Sequence, residues 1–465
     1  MDWDAAGWAL TEYGQADLGH AARTKRLVRL AADLILAPAA SVPKAISDPH
    51  QSKAAYRLLS NQRVNHDGLL SGHTRRTAER CQEHEEVLIL QDTTVLKFHS
   101  RRGAFGLGPV NDQPNTRGFL AHSSLAVARQ TGEVLGVLHQ HVWVRDAKKK
   151  NAKETGRERK QRKRESEHWA DNQRAAAEQL RQTAPSEGAG CRAIAVFDRE
   201  GDIFEAIEAL KALGHSFIIR AEHNRLLDTD DVERSYSLDQ VERAPVIAHK
   251  VVELRSRPGR SARTAILEVR AMHALLRPPK NRDRKGESVA TNLVLARELG
   301  PPPGVEPLCW YLVTDEPIDT PEQVLRIVDS YAMRWIIEEF HMGLKTGCAC
   351  EDRQMETAHA LMNFVAVATP MACKLLQLRD AARRDVPASK VGVLTPRQTK
   401  LLRQMRPRMM AKVKTARELM RVLANLGGFL NRNPDPDPGW RTLWRGFETL
   451  LVAEVGYALG TAERE

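Results

Sequence analysis

The chain has 465 residues, 42% hydrophobic and 28% charged, an ordinary composition for a folded globular protein, and its length predicts about two to four domains rather than one core. No run approaches the roughly 18 uninterrupted apolar residues of a membrane span, the acidic opening MDWDAAGWALTEYG lacks the apolar centre of a secretory signal, and six scattered cysteines are too sparse for a disulfide framework. Seventy Lys and Arg leave a formal charge of +11, which favours a polyanionic partner; without a hydrophobic anchor that partner is nucleic acid rather than a membrane, in a reducing cytoplasm.

Residues 1–75 read as a small basic helical domain suited to binding DNA. In RTKRLVRLAADL, Leu27, Leu30 and Leu34 recur at helical spacing, while Arg23, Lys25, Arg26 and Arg29 crowd the same two turns. These cations fit DNA contact and a solvated helix face equally. A second helical piece, KAAYRLLSNQRV, follows a break around Pro43 to Pro49.

Residues 76–224 then read as strands and helices. VLILQD, Val87 to Asp92, is a short apolar strand ending in a carboxylate. FLAHSSLAVAR and EVLGVLHQHVWVR, joined by QTGE, predict an antiparallel meander. From Lys148 to Arg164, ten of seventeen residues are Lys or Arg; this predicts a mobile connection that either tracks phosphates or is simply solvated. The helix SEHWADNQRAAAEQLRQT leads to the strand AIAVFD, Ala193 to Asp198, again ending in a carboxylate. The helix IFEAIEALKALG and the strand SFIIRAE complete the unit. Three meandering strands followed by helix, strand, helix, strand give the connection pattern of an RNase H-like fold, an α/β core with a mixed sheet.

Residues 225–307 interrupt that core as a β-rich insertion. A hairpin turning at Pro258-Gly259 carries Arg255, Arg257, Arg260 and Arg263 at its tip. The core resumes over 308–360: LCWYLVTDEP is a strand, and a helix starting near Thr320-Pro321 runs into YAMRWIIEEFHMGLK, Tyr331 to Lys345. Residues 361–465 are helical apart from the loop NRNPDPDPGW. Near the end, Leu443, Phe447, Leu450 and Leu451 form an apolar stripe, either a docking or dimer element or a helix packed on its own domain.

On an ideal helix of about 100° per residue, Tyr331, Arg334, Glu338 and Lys345 fall within about 60° of one another, and Glu339 lies about 100° from Glu338. Met333, Ile336, Ile337, Phe340 and Leu344 take the opposite, core-facing side. The polar stripe reads either as surface ion pairs or as cations and a tyrosine that bind phosphate beside a metal-binding glutamate. Asp92 and Asp198 are its natural companions. A buried strand-end carboxylate is costly unless compensated, although single ones also serve as turn-formers. Three carboxylates can hold two Mg²⁺ ions about 4 Å apart, with Mn²⁺ as a substitute; one ion activates the attacking oxygen and the other steadies the leaving oxygen of a phosphodiester. Hard oxygen donors disfavour zinc, and the Cys348/Cys350 pair has no second Cys or His pair at zinc-like spacing.

QDTT at 91–94, FDREGDIFE at 197–205, and Tyr331, Arg334, Glu338 and Lys345 at spacings of three, four and seven, followed by Thr346-Gly347, together resemble the DDE transposases of the bacterial IS-four family, its Tn-five-like members above all. The likeness extends through LGHAARTKRLVRLAADL, AAYRLLSNQRV, VGVLTPRQTKLL and the LGGFL…W…LW pattern, so it spans nearly the whole chain.

By that resemblance Asp92, Asp198 and Glu338 are the catalytic metal-binding triad, and Tyr331, Arg334 and Lys345 hold the DNA ends. Arg199 and Arg220 are further phosphate contacts, joined by Arg23, Arg26 and Arg29 of the N-terminal domain. Trp310, 21 residues before Tyr331, matches a tryptophan that stabilises a flipped-out base. The implied activity is cut-and-paste transposition: water nicks each element end, the freed 3′-OH forms a hairpin, water reopens it, and the 3′-OH attacks target DNA. The implied partners are double-stranded DNA with terminal inverted repeats, target DNA, and a second copy of the chain paired through a C-terminal helical dimerisation domain; the implied setting is the bacterial cytoplasm, on the nucleoid when bound. Two features depart from the family: the basic run 148–164 replaces a largely acidic segment, and no methionine between Met1 and Met272 offers a start for a shortened inhibitor. Two other readings stand beside this one, a metal-dependent nuclease of the same fold and a catalytically inactive DNA-binding regulator.

Overall fold

The computed structural model describes residues 4–98, 104–110, 116–145, 167–186, 190–229, 235–254, 263–279, 287–383, 387–388, 394–432, 435 and 437–462. The basic run 148–164 and the hairpin-tip residues Arg255, Arg257 and Arg260 lie outside these described residues. Two compact units emerge: one comprises Met1–Glu83, Thr93–Ala152 and Glu338–Glu465, the other His84–Asp92 and Lys153–Ile337. The strands are β1 (Glu86–Phe98), β2 (Gly108–Pro109), β3 (Arg117–Ala128), β4 (Val134–Trp143), β5 (Arg192–Phe197), β6 (Ser216–Arg220), β7 (Val246–Leu254), β8 (Arg263–Leu276), β9 (Val289–Leu299) and β10 (Cys309–Thr314).

In the second unit the strand order is β1-β5-β6-β10-β9-β8-β7. β1, β5 and β6 are parallel, with Leu90 opposite Val196 and Val196 opposite Ile218. β10, β9, β8 and β7 follow as antiparallel neighbours. The parallel strands are near-continuous apolar runs because they are covered on both faces. Ala195, Phe197, Phe217 and Ile219 pack with Trp169 of the helix Glu167–Gln182 and with Phe204, Ile207 and Leu210 of the helix Phe204–Leu213. The expected hairpin is β7-β8, but Arg263 is not at an open tip: it stands within β8, and its guanidinium pairs with the buried Glu298 of β9.

In the first unit β3 and β4 are antiparallel, with register shifts at Ser124/Leu125 and Ala126/Val127, and β2 pairs with β3. The later half of β1 lies beside β3. The sheet's hydrogen-bonded neighbours run in the order β4-β3-β1-β5-β6, with β1, β5 and β6 parallel. This is the strand order of an RNase H-like core, as the sequence predicts.

The N-terminal helices of the first unit are Ala5–Tyr13, Ala21–Ile35, Val42–Ala45, Pro49–Leu59 and His66–Cys81. The piece expected to run to Val64 starts at Pro49 instead, capped by Asp48, and ends at Leu59. The helix Ala358–Arg383 is long and apolar enough to cross a membrane, yet 89% of its most apolar window is buried inside the protein; a helix apolar on all sides is a core helix. Leu443, Phe447, Leu450 and Leu451 of the helix Trp440–Ala462 are all buried, packed against the protein's own helices rather than left open for docking. All six cysteines are free. Burial pushes the Cys348 thiol up to about 12 and raises Cys350 as well.

Candidate catalytic and DNA-contact site

β1 is longer than its apolar run. Asp92 therefore lies within a 13-residue strand rather than at its end. The polar stretch that follows the apolar run is satisfied in place: Gln91 Nε2 donates to Gln173 at 2.7 Å, and Thr93 shares a 2.8 Å hydrogen bond with His122. Asp92 nonetheless sits two residues beyond the last position paired with β5, and Asp198 sits two residues beyond the matching position on β5. Continuing that register puts the two aspartates at one level on neighbouring parallel strands, whose spacing is about 4.8 Å. Asp198 also caps a 3₁₀ turn, accepting from the Glu200 N–H at 2.9 Å.

The helix Pro321–Ala332 brings the next group. A Thr320/Gln323 capping box starts it, and Val324, Ile327, Val328 and Tyr331 form its buried face. The predicted continuous helix from Tyr331 to Lys345 is broken. Met333 and Arg334 form a turn, the helix Trp335–Met342 follows, and Gly343–Gly347 is a π-helical turn closed by Cys348 N–H to Gly343 O at 2.8 Å. Ile337, Phe340 and Leu344 face the core as expected, whereas Met333 and Ile336 are half-buried and Tyr331 is fully buried. The ideal-helix stripe is thus distributed over two helices, the turn between them and the π turn.

Tyr331 is the hub of the second unit's site. Its ring meets Trp310 of β10 edge-on, with centroids 5.2 Å apart, and Arg220, at the end of β6, lies near enough to its phenol to act on it electrostatically. Arg220 also donates to the Cys309 carbonyl at 3.1 Å. Burial raises the Tyr331 phenol above its ordinary range; the charges of Arg334 and Arg220 oppose that rise and Asp198 adds to it. The Arg334 guanidinium stands 3.9 Å from the Asp92 carboxylate. Six residues selected from sequence therefore converge in this unit: Asp92, Asp198, Trp310, Arg220, Tyr331 and Arg334. Trp310 is half-buried, with part of its surface open. Arg199 is exposed in the turn after Asp198 and pairs with Glu222 at 3.5 Å.

Glu338 and Lys345 belong to the first unit, both half-buried, one on the helix Trp335–Met342 and the other on the π turn. Among the described residues, no group of three or more His, Cys, Asp or Glu side chains is close enough to hold a metal ion. The aspartate pair of the second unit does match the donors Mg²⁺ takes, since that ion is commonly held by one or two carboxylates together with substrate phosphates and water.

On the N-terminal helix Ala21–Ile35, Leu27, Leu30 and Leu34 are buried, while Arg26 and Arg29 are exposed. Arg23 differs from them: half-buried, it donates to the Leu18 carbonyl at 2.8 Å and closes the turn before its own helix.

Sequence reading missed Asp202. Fully buried, it accepts from the Glu222 and His223 N–H groups at 2.8 and 2.9 Å and pairs with Arg225 at 2.6 Å, tying down the segment that follows Arg220. A clue lies in FDREGDIFE itself, where a Cβ on Gly201 would come within 2.6 Å of Phe197, so the turn holding the second aspartate is packed tightly on β5.

Residues 5–64 match the family model described as transposase DNA-binding. Among solved structures, the cryo-EM structure of a piggyBac transposase synaptic complex with hairpin DNA aligns with 82% of this chain at 10% identity and a TM-score of 0.33. The chain spans 60% of that protein's length, and the superposition is too loose to carry an argument about fold or chemistry.

Proposed function

We propose that the protein is a DNA transposase of the IS-four type that moves its element by cut-and-paste. The observation that carries this reading is the cluster of Asp92, Asp198, Arg334, Arg220, Tyr331 and Trp310 in one unit of a chain whose N-terminal helices match a transposase DNA-binding family. Two adjacent carboxylates ringed by guanidiniums suit a phosphodiester, because the arginines bind phosphate oxygens and the aspartates supply hard donors.

In this reading Asp92, Asp198 and Glu338 would hold two Mg²⁺ ions, which supply Lewis acidity to the attacking and leaving oxygens. Arg334, Arg220 and Lys345 grip phosphates on either side of the scissile bond, and Arg199 extends the track. The Tyr331 phenol stays protonated beside the Arg220 guanidinium. Trp310, backed edge-on by Tyr331, offers its open face to a base turned out of the duplex, replacing stacking worth about 1–3 kcal/mol. Water first attacks the phosphodiester at the element end and releases a 3′-OH. That hydroxyl attacks the opposite strand to form a hairpin, a second water opens it, and the 3′-OH then attacks target DNA. Each step is an in-line displacement at phosphorus by an oxygen, so one site serves all four. Exposed Arg26 and Arg29 anchor flanking duplex, and a second copy of the chain holds the other end.

The test is incubation of purified protein and Mg²⁺ with linear DNA bearing the native element ends, resolved on denaturing gels. Nicks followed by hairpins and joined products support the reading. End binding without cleavage would replace it with a regulator, and nicks without hairpins or joining with a nuclease.

A further inference from the structure

Glu339 follows Glu338 on the helix Trp335–Met342. It forms an ion pair with Arg379 of the helix Ala358–Arg383, whose side chain is only 2% exposed. Arg379 also donates to Asp380 Oδ1 from Nε at 2.9 Å and from Nη2 at 2.5 Å. Asp380 is itself buried, and its Oδ2 accepts from the Val134 N–H of β4 at 3.2 Å. A continuous polar chain thus runs from a strand backbone through Asp380 and Arg379 to the residue next to Glu338.

Such a cluster is expensive. Each buried ion carries a desolvation penalty of several kcal/mol, and apolar residues of similar volume often stabilise a core at least as well. What an arginine fork adds is direction, because it holds a carboxylate in one orientation. The helix Trp335–Met342 is only eight residues long. Its apolar residues Ile337 and Phe340 are fully buried against the core. The Glu339–Arg379 pair adds a directional restraint on the helix's rotation about its axis, and so on Glu338, which projects about 100° away. The same long helix meets the segment again at its far end: Gly343 packs against Ala372, and a Cβ on Gly347 would come within 2.4 Å of Leu375.

We infer that Glu339, Arg379 and Asp380 are positioning residues that set the orientation of Glu338 for DNA cleavage, an inference that rests on the function proposed above. Glu339 itself makes no contact with the reacting atoms in this account.

The experiment compares wild type, Glu339→Gln, and the uncharged replacement Glu339→Leu/Arg379→Met/Asp380→Asn. For each, single-turnover cleavage of end DNA at saturation, end-DNA affinity and thermal stability are measured. The expected result is a fall in cleavage rate of roughly 10- to 100-fold, the scale of a misplaced catalytic group, with end-DNA affinity unchanged. The fall should persist in the triple variant even where its melting temperature equals or exceeds that of wild type. A purely structural cluster would instead give a folded triple variant that cleaves at the wild-type rate, and that result overturns the inference while leaving the transposase reading intact. If Glu339→Gln does not fold, the triple variant decides alone. Wild type that fails to cleave its ends overturns both.

Discussion

Replacing Glu12 by Gln should loosen the N-terminal helix by an amount that can be worked from its surroundings. Glu12 is buried on the helix Ala5–Tyr13, with its carboxylate against His73 Nδ1 at 2.5 Å and in an ion pair with Arg80, both on the helix His66–Cys81. His73 Nε2 accepts from the Val137 N–H at 3.0 Å, which leaves Nδ1 to donate to Glu12. Burial pushes the Glu12 carboxyl up, but Arg80 and His73 outweigh it and hold the group at about 2, against an ordinary 4.5. A depressed carboxyl stabilises the fold above its unfolded value and loses that contribution as pH falls through its folded value. The pH window is therefore from 4.5 down to about 2, and at about 1.4 kcal/mol per pH unit the contribution is about 3 kcal/mol at neutral pH. Glu12→Gln keeps an acceptor for His73 but deprives Arg80 of its charge partner. Amide hydrogen exchange across residues 5–13 at pH 7 should accelerate by roughly 100-fold, the equivalent of about 3 kcal/mol. The melting temperature of wild type should fall on acidification through that window more steeply than that of the variant. Unchanged exchange, or identical acid dependence in both proteins, would refute the reasoning.

Gly136→Ala should lower the melting temperature, with a loss of about 2 kcal/mol or more: its φ is +143°, and an added Cβ would stand 2.1 Å from Thr77 Oγ1 where the helix His66–Cys81 crosses β4. Arg26→Ala/Arg29→Ala should weaken end-DNA binding and reduce the slope of log affinity against log salt by about 2, two phosphate contacts' worth. Arg23→Ala should act on melting temperature more than on that slope, because its guanidinium serves the Leu18 carbonyl. Trp310→Ala should leave the first nick intact and suppress the hairpin on denaturing gels; equal suppression of both steps would assign the ring to the core of β10 instead.

Much of this architecture can be read from residue pattern. The apolar runs that become β1, β5 and β6 are legible because parallel strands are buried on both faces, and Asp198 is legible because it follows such a run at once. The extent of β1 is not: Gln91-Asp92-Thr93-Thr94 looks like the end of a strand, and its side-chain partners Gln173 and His122 are distant in sequence. The break at Met333-Arg334 carries no proline or glycine to announce it. The stripe of Leu443, Phe447, Leu450 and Leu451 signals burial without revealing what covers it. β9 and the Arg379 partner of Glu339 are similarly hidden, the latter because an ion pair across forty residues leaves no periodic trace.

The central claim is most directly tested by incubating native end DNA and Mg²⁺ with wild type, Asp92→Asn, Asp198→Asn and Glu338→Ala, and scoring both end binding and hairpin formation. Hairpins from wild type alone, with end binding kept by all four proteins, is the predicted result. Hairpins that persist in any of the three variants, or a wild type that binds its ends and cuts nothing, would contradict it.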